Sequence, residues 1–115
     1  MSVRAFTDDA NGLLTRIKKL IDQGHITTWS YDGDGDFTHT PSQWKDKAWL
    51  RPQMQSDKLR LVILKSKTVP LTREVFAVYH GRFIEMLISH VADRYTSASA
   101  SPNPVSGDEP SLVEH

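Results

Sequence analysis

The sequence predicts an α+β two-layer sandwich in the order α-β-β-β-α, a small, mainly antiparallel sheet with both helices on one face. Three observations carry this expectation. A single apolar stripe at helical spacing occupies residues 7–23. Three β-branched or apolar runs with period-two alternation follow, at 25–31, 48–54 and 58–65. A second and broader helical pattern then spans 73–94. Helices segregated to one face of an antiparallel sheet are one of the few ways to bury such amphipathic elements together.

In the first helix Phe6, Ala10, Leu13, Leu14, Ile17, Leu20 and Ile21 fall within about 120° of one another at about 100° per residue. Thr7 is placed to cap its N-terminus, Asp8 and Asp9 suit the positive end of its dipole, and Gly24 suits the C′ position. The run HITTWSY at 25–31 is β-branched and aromatic, hence a strand. AWLRPQM at 48–54 reads as an edge strand, because Pro52 cannot donate to a ladder. KLRLVILK at 58–65, after a QSD turn, has the highest strand propensity of the chain. In the second helix Thr72 is the expected N-cap, and Leu71 is positioned to staple onto Phe76. Its apolar residues cover roughly 220° of the wheel, where packing on one sheet needs a stripe of about 100° or somewhat more. The excess calls for a further surface, either the first helix or a second copy of the chain.

At 115 residues the chain is long enough for one domain. The boundary expected from composition lies at residue 95: a single α+β domain at 1–95, then a disordered, acidic, Ser/Pro-rich tail at 96–115 with too little apolar content to offset the entropy of ordering. The charges, 14 basic and 14 acidic, cancel overall. All 14 bases precede Thr96 together with 11 of the acids, so the body carries +3; Asp108, Glu109 and Glu114 give the tail −3. There is no cysteine, which removes disulfides, a thiolate nucleophile and cysteine-ligated zinc, and fits a cytoplasmic, reducing environment. The N-terminus MSVRAFTDD has no apolar h-region, and the apolar stretch around Val75 to Val91 contains Arg82, Glu85 and two histidines, so neither a secretory signal nor a membrane span is expected.

The stretch YDGDGDFTHTPSQW at 31–44 is the one place that resembles a metal loop. Asp32, Asp34 and Asp36 match positions 1, 3 and 5 of an EF-hand, but Phe37 stands where that loop needs Gly and Gln43 where it needs a bidentate Glu. The glycines suit a turn leaving a strand, so no metal and no other cofactor is expected. A catalytic reading recruits His39, His80 or His90 with Asp36 or Glu85 as orienting carboxylate. His80 and His90 sit on the apolar side of their helix, about 15 Å apart along its axis at about 1.5 Å per residue, too far to share one metal. No spacing specific to a reaction is present, and no catalytic residue is assigned. Gly81 in mid-helix suggests a close approach by the sheet or by a partner helix.

The more suggestive pattern is charge with aromatics in the sheet. Residues 44–67 hold seven bases and two acids. Alternation places Trp49, Arg51 and Arg60 on the face opposite Leu59, Leu61 and Ile63, with Trp44 and Trp29 as further candidates there. Tryptophan and arginine are enriched at the energetic centres of protein interfaces. These five residues are therefore the expected partner-binding set of a non-catalytic protein-interaction module of adaptor, inhibitor or immunity type, which also self-associates as a homodimer or higher homo-oligomer. The alternatives are single-stranded nucleic-acid binding on the same Trp/Arg face, and a small His/Asp-dependent hydrolase. A body charge of +3 is small for a nucleic-acid binder, whose affinity rests on neutralising many phosphates, so nucleic acid ranks below a protein partner.

Overall fold

The structure, a computed structural model, describes residues 2–102. It is α+β, with two helices against one face of an antiparallel sheet, and the sheet has six strands where three were expected. The strands are β1 (Ser2–Phe6), β2 (Trp29–Tyr31), β3 (Phe37–His39), β4 (Ala48–Met54), β5 (Lys58–Lys65) and β6 (Ser97–Ala100). Helix α1 (Ala10–Asp22) lies between β1 and β2, and α2 (Arg73–His90) lies between β5 and β6, followed by a 3-10 turn at Ala92–Arg94. The sheet order is β2-β3-β4-β5-β1-β6.

β4 and β5 occupy the expected residues, and Ala48↔Lys65 through Met54↔Leu59 sets their register. The order places β4 inside the sheet rather than at its edge. Its neighbour β3 meets it at Phe37↔Leu50, so Pro52 lies beyond that pairing, where β5 flanks the strand and a missing N–H costs little.

Four further corrections have physical causes. SVRAF alternates Val3 and Ala5 inward with Ser2, Arg4 and Phe6 outward, and it forms β1 between β5 and β6. Phe6 therefore belongs to this strand, opposite Lys58, and not to the helical stripe. The helix begins two residues later than Thr7 as N-cap would place it: Asp9 is the N-cap, its Oδ1 accepting from Gly12 N at 3.0 Å, while Thr7 Oγ1 accepts from Asp9 N. Gly24 does sit just past the end of α1 at φ 77°. The polar stretch after the aspartates contributes β3, so the expected strand at 25–31 is shortened to Trp29–Tyr31 and becomes half of a hairpin. Ser97–Ala100, within the segment expected to be disordered, pairs with β1 as an edge strand, because four small residues satisfy a ladder that would otherwise be open. The rest of that expected tail, 103–115, lies outside the described residues.

The core joins both helices to one face of the sheet. Leu13, Leu14, Ile17 and Leu20 of α1 and Val75, Phe76, Tyr79, Phe83, Met86 and Leu87 of α2 pack with Val3, Ala5, Trp29, Phe37, Leu50, Leu59, Leu61 and Ile63. Thr72 Oγ1 accepts from Val75 N at 3.2 Å, the cap the sequence predicts. The outer edge of the wide apolar arc stays uncovered, with Ile88 62% exposed. Gly81 needs no close neighbour: a Cβ there would meet nothing within 4 Å. Among the described residues no helix is long and apolar enough to cross a membrane.

Candidate functional site

The outward face of the sheet is built from alternate residues of its strands. β1 contributes Ser2, Arg4 and Phe6, β4 contributes Trp49, Arg51 and Gln53, β5 contributes Lys58, Arg60, Val62 and Leu64, and β6 contributes Ser97 and Ser99. No acidic residue stands at any of these positions. Across the strands they form rows, the longest being Gln53, Arg60, Arg4 and Ser99.

The aspartate–glycine stretch closes one end of this face as the β2–β3 turn. Asp32 Oδ1 accepts from the backbone N–H groups of Asp34 and Asp36, both at 3.0 Å, and Asp32 O accepts from Gly35 N at 2.9 Å. Gly35 supplies the positive φ of 82° that this geometry requires. The carboxylates of Asp32, Asp34 and Asp36 lie within 4.8 Å of one another. One of these three charges, that of Asp36, is met by an arginine of the same sheet. Arg51 donates from Nε to Asp36 Oδ1 at 2.9 Å and from Nη2 to Asp36 Oδ2 at 2.8 Å. Asp36 has no exposed side-chain surface, whereas 47% of the Arg51 side chain is exposed. The neighbouring carboxylate holds the Arg51 pKa above its ordinary value. This fork fixes the guanidinium plane and leaves its other N–H groups directed away from the pair.

A second cluster of polar groups shapes the adjacent loop. Thr38 Oγ1 donates to Ala48 O at 3.2 Å, accepts from Asp46 N at 3.1 Å and lies 3.0 Å from the Tyr79 hydroxyl, which donates to Trp44 O. These bonds hold Asp46 at φ 61°, in the left-handed region that aspartate tolerates better than most residues. Burial pushes the Tyr79 phenol pKa up. Between this loop and residues 66–69 lies a hollow of about 640 Å3 whose lining includes Asp32, Lys45, Asp46, Lys47, Trp49 and Thr68.

The five expected anchors divide. Arg51 and Arg60 stand on the outward face as alternation predicts, Arg60 donating to Gln53 Oε1 at 3.2 Å. Trp49 points the same way but is 4% exposed and packs with Leu64 in a satellite apolar cluster. Trp44 is half-buried against the core, with Lys47 Nζ above its ring. Trp29 is not on the outward face at all. Its indole is 1% exposed inside the core, edge-on to Tyr79 and Phe83 and tilted over His39. A hairpin absent from the sequence reading accounts for this: β3 forms in the stretch read as polar and irregular, and its pairing with β2 sets Trp29 opposite His39 toward the helices.

The histidines and Asp36 do not converge. His39 is buried beside Trp29 on the helix side, with Nδ1 2.7 Å from Thr28 O. Asp36 pairs with Arg51 on the opposite side of the sheet. His80 is 2% exposed and turns Nδ1 back to the carbonyl of Phe76 one helical turn earlier. His39 and His80 thus each have a local structural bond, and the sheet separates them from the carboxylate, while His90 is exposed at the end of α2.

Sequence reasoning missed Arg4. It stands directly opposite Arg60 across β1 and β5, and its Nε is buried with no hydrogen-bond partner among the described residues. Like charges at directly opposed sheet positions repel. The alternation in SVRAF was the available signal. For Thr38 and Asp46 there was none, since their roles depend on a tyrosine in α2. Comparison with protein-family models, with curated proteins and with solved structures finds no match to this chain.

Proposed function

We propose that this protein is a non-catalytic protein-interaction module, of adaptor, inhibitor or immunity type, acting in the cytoplasm and recognising an acidic surface of a partner through the outward face of its sheet. The observation that carries the reading is the Arg51–Asp36 fork. A half-exposed guanidinium held by a fully buried carboxylate is already fixed in one orientation. Little side-chain entropy is then lost when a partner carboxylate meets its remaining donors. The opposed Arg4 and Arg60 supply the matching charge, and a carboxylate between them would relieve their repulsion. The tryptophans support the fold rather than the contact, since Trp29 and Trp49 are buried. That burial also weakens the nucleic-acid alternative, which needs exposed rings on which bases can stack.

Replacing Arg51 by Ala would leave Asp36 buried and unpaired, so loss of binding could not be told from loss of fold. The informative variant is Arg51→Lys with Arg60→Ser, which keeps a cation beside Asp36 but removes the fork. Tagged wild-type and variant protein are crosslinked in their native cells and the bound proteins quantified. The expected result is an acidic partner in stoichiometric amount with the wild type, reduced at least tenfold with the variant, and unchanged circular dichroism. Equal recovery with both proteins would remove the face from the assignment.

A further inference from the structure

Among the described residues the sheet ends on β2 at one side and on β6 at the other. The ladder between β1 and β6 fixes which backbone groups of β6 remain outside it. Ser101 N donates to Ser2 O, and two residues along each strand Arg4 stands opposite Ser99. Positions two apart share one phase of an antiparallel ladder, so Ser99 and Ser101 turn their N–H and C=O toward β1. Ala98 and Ala100 turn theirs away from the sheet, and no strand of the described residues lies beyond them. Sheets commonly shield such an edge with charge or proline. Here the strand reads Ser-Ala-Ser-Ala, four small neutral residues.

The side chains beside this edge indicate what it would accept. Ser97 and Ser99 form the outward side of β6, and Arg4 stands directly behind Ser99 on β1. Arg4 Nε is buried and has no hydrogen-bond partner among the described residues. A strand laid against β6 places alternate side chains on that outward side, about 10 Å from the Arg4 backbone at about 4.8 Å per strand. A glutamate and an arginine together span that gap, and the serine between them is too short to bar it. The intervening side chains point the other way, beside the methyl groups of Ala98 and Ala100, where aliphatic groups find room. The opposite edge does not suit the same ligand. β2 has three residues and runs into the turn that carries Asp32 and Asp34, which repel an acidic strand.

We propose, resting on the acidic-partner reading above, that the partner enters as an extended segment alternating acidic with aliphatic residues, which adds a seventh strand beside β6. Its backbone bonds to the outward N–H and C=O groups of Ala98 and Ala100. Its carboxylates reach across Ser97 and Ser99 to Arg4. Main-chain bonds supply the attachment and the alternating side chains supply the selectivity, as in other cases of strand addition.

The probe is the acetylated and amidated peptide EVEVEVE, titrated into the isotope-labelled full chain. Amide exchange at Ala98 and Ala100 should slow at least tenfold at saturation, and the peptide KVKVKVK should leave it unchanged. Ala98→Pro removes one outward N–H and spares the ladder to β1, a position where an edge strand tolerates proline. It should weaken EVEVEVE at least tenfold. Ala100→Pro gives the same readout at the second position, and amide dispersion reports whether each variant is folded. Arg4→Ser should weaken the peptide about threefold, the scale of one exposed ion pair. Absence of protection at Ala98 and Ala100, whether or not other signals move, overturns strand addition. In cells, either proline variant should lower recovery of the crosslinked partner as Arg51→Lys with Arg60→Ser does. Recovery lost with the arginine variant but kept with both proline variants would overturn strand addition and leave the outward face standing. Recovery kept with all of them would overturn both.

Discussion

His39 illustrates how one side chain can be misread from its neighbours in the sequence. Flanked by Thr38 and Thr40 in what looked like a polar loop, it suggested a functional position; pairing of its strand with β2 instead puts it against Trp29, 5% exposed. Desolvation lowers its pKa, and the Thr28 carbonyl, by favouring the protonated ring, offsets part of that effect. The sign for stability follows. Because the folded-state pKa lies below the ordinary value, protonation favours the unfolded chain. The contribution is complete above about pH 6.5, and it is lost as the pH falls from there toward the depressed folded-state value. Urea midpoints measured from pH 7.5 down to pH 5 should therefore decline, and His39→Asn, which keeps a donor for Thr28 O, should flatten that part of the decline. An unchanged slope in the variant would show that His39 does not titrate differently on folding. The fork on the other face contrasts with this histidine. Arg51 was identified from alternation alone, whereas its partner Asp36 was considered as a metal-loop position and for catalysis but not as its partner, because their pairing joins residues 15 positions apart.

At the scale of elements, strands and helices with long, regular patterns matched their residues. β4 and β5 were legible because seven and eight residues of alternation outweigh local noise. β1, β3 and β6 are three to five residues long, too short for a period to declare itself, and β1 and β6 are held by neighbours distant in the chain. The Thr72 cap and the end of α1 at Gly24 were legible because capping is local chemistry. Gly81 was misjudged, since close approach was expected there and the space is open. It follows that Gly81→Ala should stabilise the protein by about 1 kcal/mol, the helix-propensity difference, with no steric cost. Denaturant unfolding of dilute, single-chain protein checks this: a variant less stable than the wild type there would mean that the chain itself covers the site.

The whole molecule raises the question of association. α2 keeps Ile88 62% exposed beside Ala77, Gly81 and Glu85 on its outer side, and Met54 at the end of β4 is 56% exposed. We propose that the protein self-associates through this side of α2. Ile88→Glu should then lower the mass measured by light scattering to that of a single chain at concentrations where the wild type is larger. A wild type that is monomeric at every concentration would exclude the association itself.

What the sequence by itself determined is what nearest neighbours in the chain can enforce: the α+β class, two helices with the Thr72 cap and the Gly24 stop, the β4–β5 hairpin, and which of its residues face outward. What the tertiary structure decided is every relation between distant residues: the insertion of β1 between β5 and β6, the burial of Trp29 and Trp49, the fork between Arg51 and Asp36, and the opposition of Arg4 to Arg60. The physical reason is that helix periodicity, capping and strand alternation are set within a few residues. Whether an aromatic ring becomes a contact surface or part of the core depends instead on which strands lie beside it, and that is settled when the sheet assembles.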